Sequence, residues 1–240
     1  MNRALFGSVI PRRTISNVQE NELFTLFRHY YRCVTRADFE RDLAEKDQVL
    51  LLRDIRGTVR GFTTMRLFDV NYQGRRVRAL FNGNTIIEQD YWGDQELVRT
   101  WCAFMAGLER QEPDVPLYWY LICSGFRTYL FLPLFFCDFA PRCGQETSAH
   151  DAGLIDHLGH LGFPDEYRDG IVYPPEPREC LRPELGVPTE RRLANRNVRY
   201  FVERNPGYLR GDELVCLAEF SFDNTKRAAH EAIARVRGVA

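Results

Sequence analysis

Leu117–Cys123, which reads LYWYLIC, gives the strongest strand signal in the sequence. All seven residues are apolar or aromatic, and such residues are typical of strands. A continuous apolar run without polar alternation indicates a strand that is covered on both faces. The dipeptide Ser124-Gly125 follows directly and ends the run. We therefore expect this strand to lie at the centre of a sheet.

A long amphipathic helix is predicted before this central strand. Apolar residues at positions 97, 98, 101, 102, 104, 105 and 108 form one broad face, and Pro113 and Pro116 end the helix. The loop before the helix belongs to Tyr91–Val98, YWGDQELV, and its only glycine is Gly93. Because the N-terminus of a helix can bind anions, this loop is a candidate phosphate site.

Three consecutive antiparallel strands are predicted upstream of the loop. Apolar runs begin at Val49 and resume after turns at residues 56–58 and 72–74. Two amphipathic helices within residues 17–46 precede these strands, and Thr35 is the N-cap candidate of the second.

Shorter and more proline-rich elements are predicted after the central strand. Residues 126–136 indicate a short helix that breaks near Pro133, and residues 141–188 indicate a wrapping loop that includes one amphipathic helix. The last predicted elements are a helix over residues 189–204 with Thr189 as N-cap, a strand over Glu213–Ala218 and a helix over Thr225–Val236. We therefore divide the chain into a core at residues 1–140 and a C-terminal extension at residues 141–240 that packs on the core and completes it.

The overall composition excludes several classes of protein. The chain has 240 residues, 45% of them hydrophobic, and a formal net charge of -1, which gives no bulk electrostatic reason for binding nucleic acid or a membrane surface. No apolar run approaches the roughly 20 residues of a membrane-spanning helix. The seven cysteines are odd in number and mostly in apolar surroundings, which indicates reduced thiols. We expect a cytoplasmic protein.

The order of these elements resembles the fold of the Gcn5-related N-acetyltransferases (GNAT) over residues 17–138. The resemblance implies an α+β fold, in which helices flank a mixed, mostly antiparallel sheet, and here a helical, proline-rich C-terminal extension is added. It also implies that the strand before the glycine-containing loop and the strand after the long helix splay apart. The pantetheine arm of an acyl-CoA donor would lie between them.

The phosphate-binding loop departs from the pattern of the family it resembles. That pattern is Gln/Arg-x-x-Gly-x-Gly/Ala, whereas this sequence has Gly93 alone, with Gln95 at the second small position. Asp94 and Glu96 favour the helix dipole but repel an incoming phosphate. We therefore interpret the chain as GNAT-like with a degenerate loop. Members of the wider superfamily with such loops take acyl groups from a carrier protein, and others use aminoacyl-tRNA.

Seven residues are candidates for the site that this resemblance implies. The catalytic candidates are Glu88 as general base and Tyr129 as general acid to the leaving sulfur; the donor-binding candidates are Thr85, Trp92, Gly93, Ser124 and Arg127. Four of them have an alternative structural role. Glu88 fits a solvated turn, Tyr129 the core, Ser124 a helix cap and Arg127 a surface ion pair.

Two further groups of residues were weighed as binding sites. His150, His157 and His160 with Cys137 and Cys143 match no tight zinc motif, so no metal is expected. Two arginine clusters, at residues 75–78 and 191–199, would dock an acidic acyl carrier protein or a tRNA, or else form solvated faces.

The sequence leaves three functions open. The first is an acyltransferase that moves an acyl group from an acyl-CoA or acyl-carrier-protein thioester to a small-molecule amine. The second is a non-catalytic module that binds a ligand or a partner protein, and the third is an aminoacyl-tRNA-dependent transferase. Convergence of Glu88, Ser124 and Tyr129 on one cleft would favour the first, and a continuous positive surface that joins both arginine clusters would favour the third. The oligomeric state is not predicted.

Overall fold

An eight-stranded sheet lies at the centre of the protein in a computed structural model, which describes residues 4–175, 179–227, 229, 230 and 234. The strands in chain order are β1 (Phe6–Pro11), β2 (Tyr31–Arg32), β3 (Gln48–Arg53), β4 (Val59–Tyr72), β5 (Arg75–Ile87), β6 (Leu117–Cys123), β7 (Tyr167–Arg168), β8 (Ile171–Val172), β9 (Cys180–Leu181) and β10 (Glu213–Glu219). Their spatial order in the sheet is β1-β3-β4-β5-β6-β10-β8-β7, while β2 and β9 pair separately. The β5–β6 pair is parallel and the other described pairs are antiparallel.

Helices cover both faces of this sheet. In chain order they are α1 (Asn17–Tyr30), α2 (Arg36–Ala44), α3 (Glu96–Gln111), α4 (Phe126–Tyr129), α5 (Phe131–Phe135), α6 (Ala149–Gly162), α7 (Pro183–Gly186), α8 (Glu190–Leu193) and α9 (Arg196–Arg204). None of the described helices is long and apolar enough to cross a membrane. The α+β class with a mixed, mostly antiparallel sheet flanked by helices, as predicted, is confirmed.

The central position predicted for Leu117–Cys123 is also confirmed. All seven residues of β6 are buried, and the strand lies between β5 and β10. The three predicted antiparallel strands are β3, β4 and β5. The strand predicted near Glu213 is β10, which pairs antiparallel with β6. The long central run therefore organises the sheet as its composition indicates.

Alternation along the strands decides which helix covers which face. Leu80 of β5 packs in one apolar cluster with α3, α4, α5 and α9, while its neighbours Ala79 and Phe81 pack with α6 on the other side. Leu50 and Leu51 of β3 divide in the same way between α3 and the α1–α2 pair. Because successive strand residues point to opposite faces, α3 lies on one face and α1, α2 and α6 lie on the other.

Local capping explains where several helices begin. The Ser16 hydroxyl and the Gln19 side chain form a capping box at the start of α1. Thr35 caps α2 by accepting a 3.1 Å hydrogen bond from the Asp38 N–H, as predicted. The single helix predicted over residues 189–204 is wrong: it is α8 and α9, because the Asn195 side chain accepts a hydrogen bond from the Asn197 N–H and starts a new helix.

Three other features qualify the sequence predictions. The edge strand β1 was not predicted. The helix predicted over Thr225–Val236 lies largely outside the described residues. Strands β7, β8 and β10 all follow residue 141 and belong to the same sheet as the first part of the chain. The domain boundary at residue 140 stays a prediction.

Candidate functional site

The parallel strands β5 and β6 separate at their C-terminal ends. Their pairing runs from Arg78 opposite Leu117 to Asn82 opposite Leu121 and stops there. Beyond this point β5 continues against β4, and β6 continues against β10. The space between residues 83–87 and residues 122–124 is called the opening below. The splayed strands of the predicted fold are therefore present.

A bulge in the β4–β5 pair helps β5 to turn away. The register shifts between Thr63 and Met65, opposite Gly83. A Cβ atom on Gly83 would lie 2.6 Å from the Thr64 hydroxyl oxygen and 3.0 Å from Cε of Lys46. The close approach requires glycine at this position, since only glycine lacks a Cβ atom.

An apolar pocket lies in the opening on the α3 side of the sheet. Its cavity volume is about 40 Å³, and its walls include Leu97 and Val98 of α3 and Phe131 and Phe135 of α5. Thr85, a predicted donor-binding residue, also lines it. A pocket of this size and composition accommodates a small apolar group.

The floor of this pocket is formed by polar side chains that hydrogen-bond to one another. The Asn82 carboxamide oxygen accepts hydrogen bonds from the indole N–H groups of Trp101 (3.0 Å) and Trp119 (2.8 Å), while its NH₂ group donates to Thr63 (3.0 Å). The hydroxyl oxygens of Thr63 and Thr85 are 2.8 Å apart. This network fixes the two indoles and so sets the shape of the pocket.

In the loop before α3, carboxylates of the chain accept the hydrogen bonds of nearby backbone N–H groups. Gly93 has a φ of 99°, which favours glycine. Asp94 accepts a 2.7 Å hydrogen bond from the Glu96 N–H at the start of α3, and the Glu96 carboxylate accepts one of 3.1 Å from the Gly7 N–H of β1. Internal anions therefore lie where a phosphate would meet the helix N-terminus.

Trp92 and Arg127, two predicted donor-binding residues, meet at the mouth of the opening. The Trp92 indole donates a 2.9 Å hydrogen bond to the Ile87 carbonyl oxygen at the end of β5. The Arg127 guanidinium lies 4.7 Å from the centre of the Trp92 ring and 5.2 Å from that of Phe126. Burial lowers the pKa of Arg127, and the nearby Arg192 guanidinium lowers it further.

Glu88, the predicted base, is engaged in an ion pair. Nη1 of Arg60 lies 3.0 Å and 3.2 Å from the two Glu88 carboxylate oxygens, and Nε of the same arginine donates a 2.8 Å hydrogen bond to Asp54. The Glu88 carboxylate is thus engaged by the Arg60 guanidinium, which is also tied to Asp54.

Tyr129, the predicted acid, packs in the core. Its side chain is fully buried, its hydroxyl donates a 3.0 Å hydrogen bond to the Pro141 carbonyl oxygen, and its ring lies against those of Tyr200 and Phe201. Burial raises the pKa of Tyr129 well above its ordinary value. The contacts are those of a structural tyrosine.

Ser124, a predicted donor-binding residue, is hydrogen-bonded to a carboxyl group. Its hydroxyl donates a hydrogen bond to the Glu213 carboxyl group at the start of β10. Glu88 thus pairs with Arg60, Ser124 with Glu213, and Tyr129 with the Pro141 carbonyl. No hydrogen bond among the described residues joins two of the three predicted residues to each other. The structure does not bring these predicted residues into one catalytic group.

Three carboxyl groups that the sequence did not indicate lie near enough for their charges to interact. We call Asp42, Glu179 and Glu213 the acidic cluster. Burial, followed by the Asp42 charge, raises the pKa of Glu179 to about 7, with Glu213 adding to the effect. Burial, with a contribution from Asp42, likewise raises the pKa of Glu213 to about 7. Asp42 also accepts a 3.0 Å hydrogen bond from the Asn84 side chain of β5, which places the cluster beside the diverging strand.

No local pattern in the sequence identifies the acidic cluster. Glu213 precedes an apolar strand, Glu179 follows a proline-dense stretch, and Asp42 lies on an amphipathic helix. Only the fold brings residues so distant in the chain together. Perturbed carboxyl groups beside a cleft are characteristic of functional sites.

The arginine cluster at residues 75–78, weighed as a docking surface or a solvated face, forms contacts within the protein. Arg76 forms ion pairs with Asp69 and Glu112. Arg78 is only 1% exposed, and its guanidinium donates to the carbonyl oxygens of Leu108 (3.0 Å) and Glu112 (2.9 Å). Arg76 and Arg78 are thus engaged with groups at and beyond the C-terminal end of α3.

The histidines weighed as metal ligands contact aromatic rings. His150 and His157 lie against Tyr72, and His160 lies against Tyr167. Within the residues that the structure describes, no group of three or more His, Cys, Asp or Glu side chains is arranged to hold a metal ion.

Similarity to known proteins is confined to three-dimensional structure. No protein-family model matches the sequence, and no curated protein matches it. Similar solved structures include the GNAT family N-acetyltransferase YhbS from Escherichia coli in complex with CoA, at 14% identity over 52% of this chain and 66% of that chain, with a TM-score of 0.37. A second is an acetyltransferase of the GNAT family from Staphylococcus aureus Mu50, at 12% identity over 60% of this chain and 91% of that chain, with a TM-score of 0.41. A third is a ribosomal-protein-alanine N-acetyltransferase from Brucella melitensis biovar Abortus, at 12% identity over 60% of this chain and 96% of that chain, with a TM-score of 0.41.

The chain thus spans just under two thirds of the length of YhbS. Identities of 12% to 14% concern the fold alone. The order of the strands and the divergence of the parallel β5–β6 pair give this chain the GNAT-like α+β architecture that its order of elements predicts.

Proposed function

We propose that the chain is an acyltransferase that transfers an acyl group from a thioester, carried by CoA or by an acyl carrier protein, to an amine. The observation that carries the proposal is the separation of β5 and β6 after Asn82 and Leu121. The resulting opening has an apolar pocket, and the acidic cluster lies beside the diverging strand β5. An apolar acyl donor and a cationic acceptor would each meet a compatible surface.

The proposed binding of the acyl donor rests on the unpaired edge of β5 and on the apolar walls of the pocket. Beyond Asn82 no strand among the described residues pairs with the edge of β5 that faces β6. Backbone N–H and C=O groups at such an edge can pair with an extended ligand that carries amides, as a pantetheine arm does. Leu97, Val98 and Phe131 then surround the thioester end of the arm.

The proposed binding of the amine acceptor rests on the negative charge of the acidic cluster. An ammonium group is attracted to carboxylates, and it must lose a proton before its nitrogen attacks the thioester carbonyl carbon. Glu213 fits the role of proton acceptor better than Glu88, because its pKa is about 7 and it is not paired with an arginine in the structure. The C–N bond forms, the C–S bond breaks, and the thiolate leaves and takes up a proton.

The state of the core cysteines supports a reducing compartment for this reaction. Cys102, Cys123 and Cys216 are free, buried thiols. Thiols of this kind are typical of cytoplasmic proteins, which is the location we propose.

The test combines a binding assay and a turnover assay. Thermal shift would be measured with CoA, short- and long-chain acyl-CoA and acyl carrier protein, and thiol release would be followed with a panel of small amines. Stabilisation by one donor class together with amine-dependent thiol release supports the proposal and identifies the donor. Hydrolysis at the same rate with and without amine would argue against an amine acceptor.

A second candidate function is a catalytically idle binding module. The observation that favours it is that Glu88 and Tyr129 are engaged with Arg60 and the Pro141 carbonyl. Stabilisation by a donor with no thiol release across the whole amine panel would select this function over the transferase.

A further inference from the structure

A cationic side chain lies at the mouth of the opening, against Trp92 of the loop that precedes α3. Arg127 is the second residue of α4, and its neighbour Thr128 lines the apolar pocket. Its guanidinium stands 4.7 Å from the centre of the Trp92 ring. Stacking on an indole fixes the plane of a guanidinium and leaves its N–H groups available to an anion.

A second arginine, Arg192, strengthens the positive charge there. It is an exposed residue of α8, whose first turn Thr189 caps and whose Leu193 packs against the core. After burial, the charge of Arg192 is the second cause that lowers the pKa of Arg127, so the two guanidinium groups are near enough to interact. Two neighbouring guanidinium groups attract an anion such as a phosphate.

The N-terminus of α3, which follows this loop, is closed to anions. The first turn of α3 is occupied by the Asp94 carboxylate, and the Glu96 carboxylate ties this helix to Gly7 of β1. A phosphate at that helix N-terminus would face two like charges at close range. A phosphorylated ligand that enters the opening therefore meets attraction on the α4–α8 side only.

We propose that Arg127 and Arg192 bind the phosphate of the donor's phosphopantetheine arm, in place of the backbone amides of the loop before α3. This inference rests on the proposed acyl transfer. Guanidinium groups bind phosphate through paired, charge-assisted hydrogen bonds. The phosphate would sit outside the mouth, and the pantetheine would pass between β5 and β6 to the apolar pocket.

The same phosphate chemistry occurs in CoA and in the prosthetic group of a carrier protein. Calorimetric titrations with pantetheine, 4′-phosphopantetheine, CoA and holo acyl carrier protein distinguish the sources. We expect 4′-phosphopantetheine to bind at least about tenfold more tightly than pantetheine, and the difference to shrink at high salt. Tighter binding of CoA than of holo carrier protein would assign the donor to CoA, and the reverse order to the carrier protein.

Single substitutions test the two arginines directly. Arg127→Ala and Arg192→Ala should each weaken 4′-phosphopantetheine binding by about tenfold and leave pantetheine binding unchanged. Arg127→Lys should recover part of the loss, because it keeps the charge but not the planar donor set. Arg75→Ala is the matched control, since Arg75 is an exposed arginine at the opposite end of β5, and it should bind like the wild type.

The outcomes separate this inference from the proposed function. Thiol release with wild-type KM for acyl-CoA in both Arg127→Ala and Arg192→Ala would overturn the phosphate site and leave the transferase in place. Equal wild-type affinity for pantetheine and 4′-phosphopantetheine would also overturn it. A wild-type protein that binds none of the four ligands and releases no thiol would overturn the transferase itself.

Discussion

The Ser124 hydroxyl donates a hydrogen bond to the Glu213 carboxyl group and so connects the end of β6 to the start of β10. Burial raises the pKa of this carboxyl group to about 7, and the Asp42 charge contributes, while the bond from Ser124 lowers it. The strand that organises the sheet thus ends against a group that changes charge near neutral pH.

The first prediction concerns stability and pH. A raised pKa means that Glu213 binds its proton more tightly in the folded protein than in the unfolded chain, where the ordinary value is 4.5. The free energy of unfolding should therefore fall as pH rises from about 5 to about 7 and level off above, on the order of 2 kcal/mol. Glu179 contributes in the same direction.

Glu213→Gln should remove the part of this fall that Glu213 contributes and be more stable than the wild type at pH 8. Urea denaturation at pH 5 and pH 8 measures both quantities. Glu219→Gln is the matched control, since Glu219 is exposed at the other end of β10. A Glu213→Gln protein with the pH dependence of the wild type would show that this carboxyl group does not titrate as described.

The second prediction concerns catalysis and pH. If ionised Glu213 accepts the ammonium proton, kcat/KM for thiol release should rise with pH through about 7. Glu213→Gln should lower kcat by about 100-fold or more. Ser124→Ala removes the hydrogen bond that lowers the Glu213 pKa, so the midpoint of the pH–rate profile should move upward. A midpoint unmoved in Ser124→Ala would exclude Glu213 as the titrating group.

The third prediction concerns the buried arginine of β5. Arg78 is almost fully buried and donates hydrogen bonds to the carbonyl oxygens of Leu108, Glu112 and Val115 after and within the last turn of α3. Arg78→Met leaves these acceptors without their cationic donor and should lower the free energy of unfolding by about 3 kcal/mol. Arg75→Met, at an exposed position, should change it by less than about 0.5 kcal/mol. Chemical denaturation of the two variants compares them, and equal values would refute the capping role.

The fourth prediction concerns two helical glycines with opposite surroundings. A Cβ atom on Gly159 of α6 would lie 2.4 Å from ring carbons of Tyr167, whereas one on Gly107 of α3 meets nothing within 4 Å. Gly159→Ala should therefore destabilise the protein by about 1–3 kcal/mol. Gly107→Ala should stabilise it by about 0.5–1 kcal/mol, because alanine favours helix. Melting temperatures that shift in the same direction for both would contradict these contacts.

Much of the fold could be predicted because its signals are local. The seven apolar residues of β6 and the runs around Val49 and Gly61 report burial directly in the sequence. Thr35 caps its helix through a residue three positions away. In contrast, β1 contains Gly7 and Pro11 and lies at the edge of the sheet, so its sequence carries no clear strand pattern.

The candidate site was predictable only in part. Trp92 and Arg127 were chosen for their places next to the predicted strand ends, and the fold brings them into contact. The acidic cluster depends on residues 42, 179 and 213, which are far apart in the chain. The burial of Arg78 could not be predicted either, because a buried guanidinium needs hydrogen-bond acceptors and only the tertiary fold brings the carbonyl groups to it.

The central claim is that the opening between β5 and β6 receives the acyl donor. The most direct test is photo-labelling of the wild-type protein with an acyl-CoA, and with an acyl carrier protein, whose acyl chain carries a diazirine, followed by peptide mapping. We predict labelling at the pocket walls, at Leu97, Val98 and Phe131, which excess unlabelled donor suppresses. Labelling confined to other surfaces, such as the cleft lined by Arg12, Arg13 and Gln48, would contradict the account.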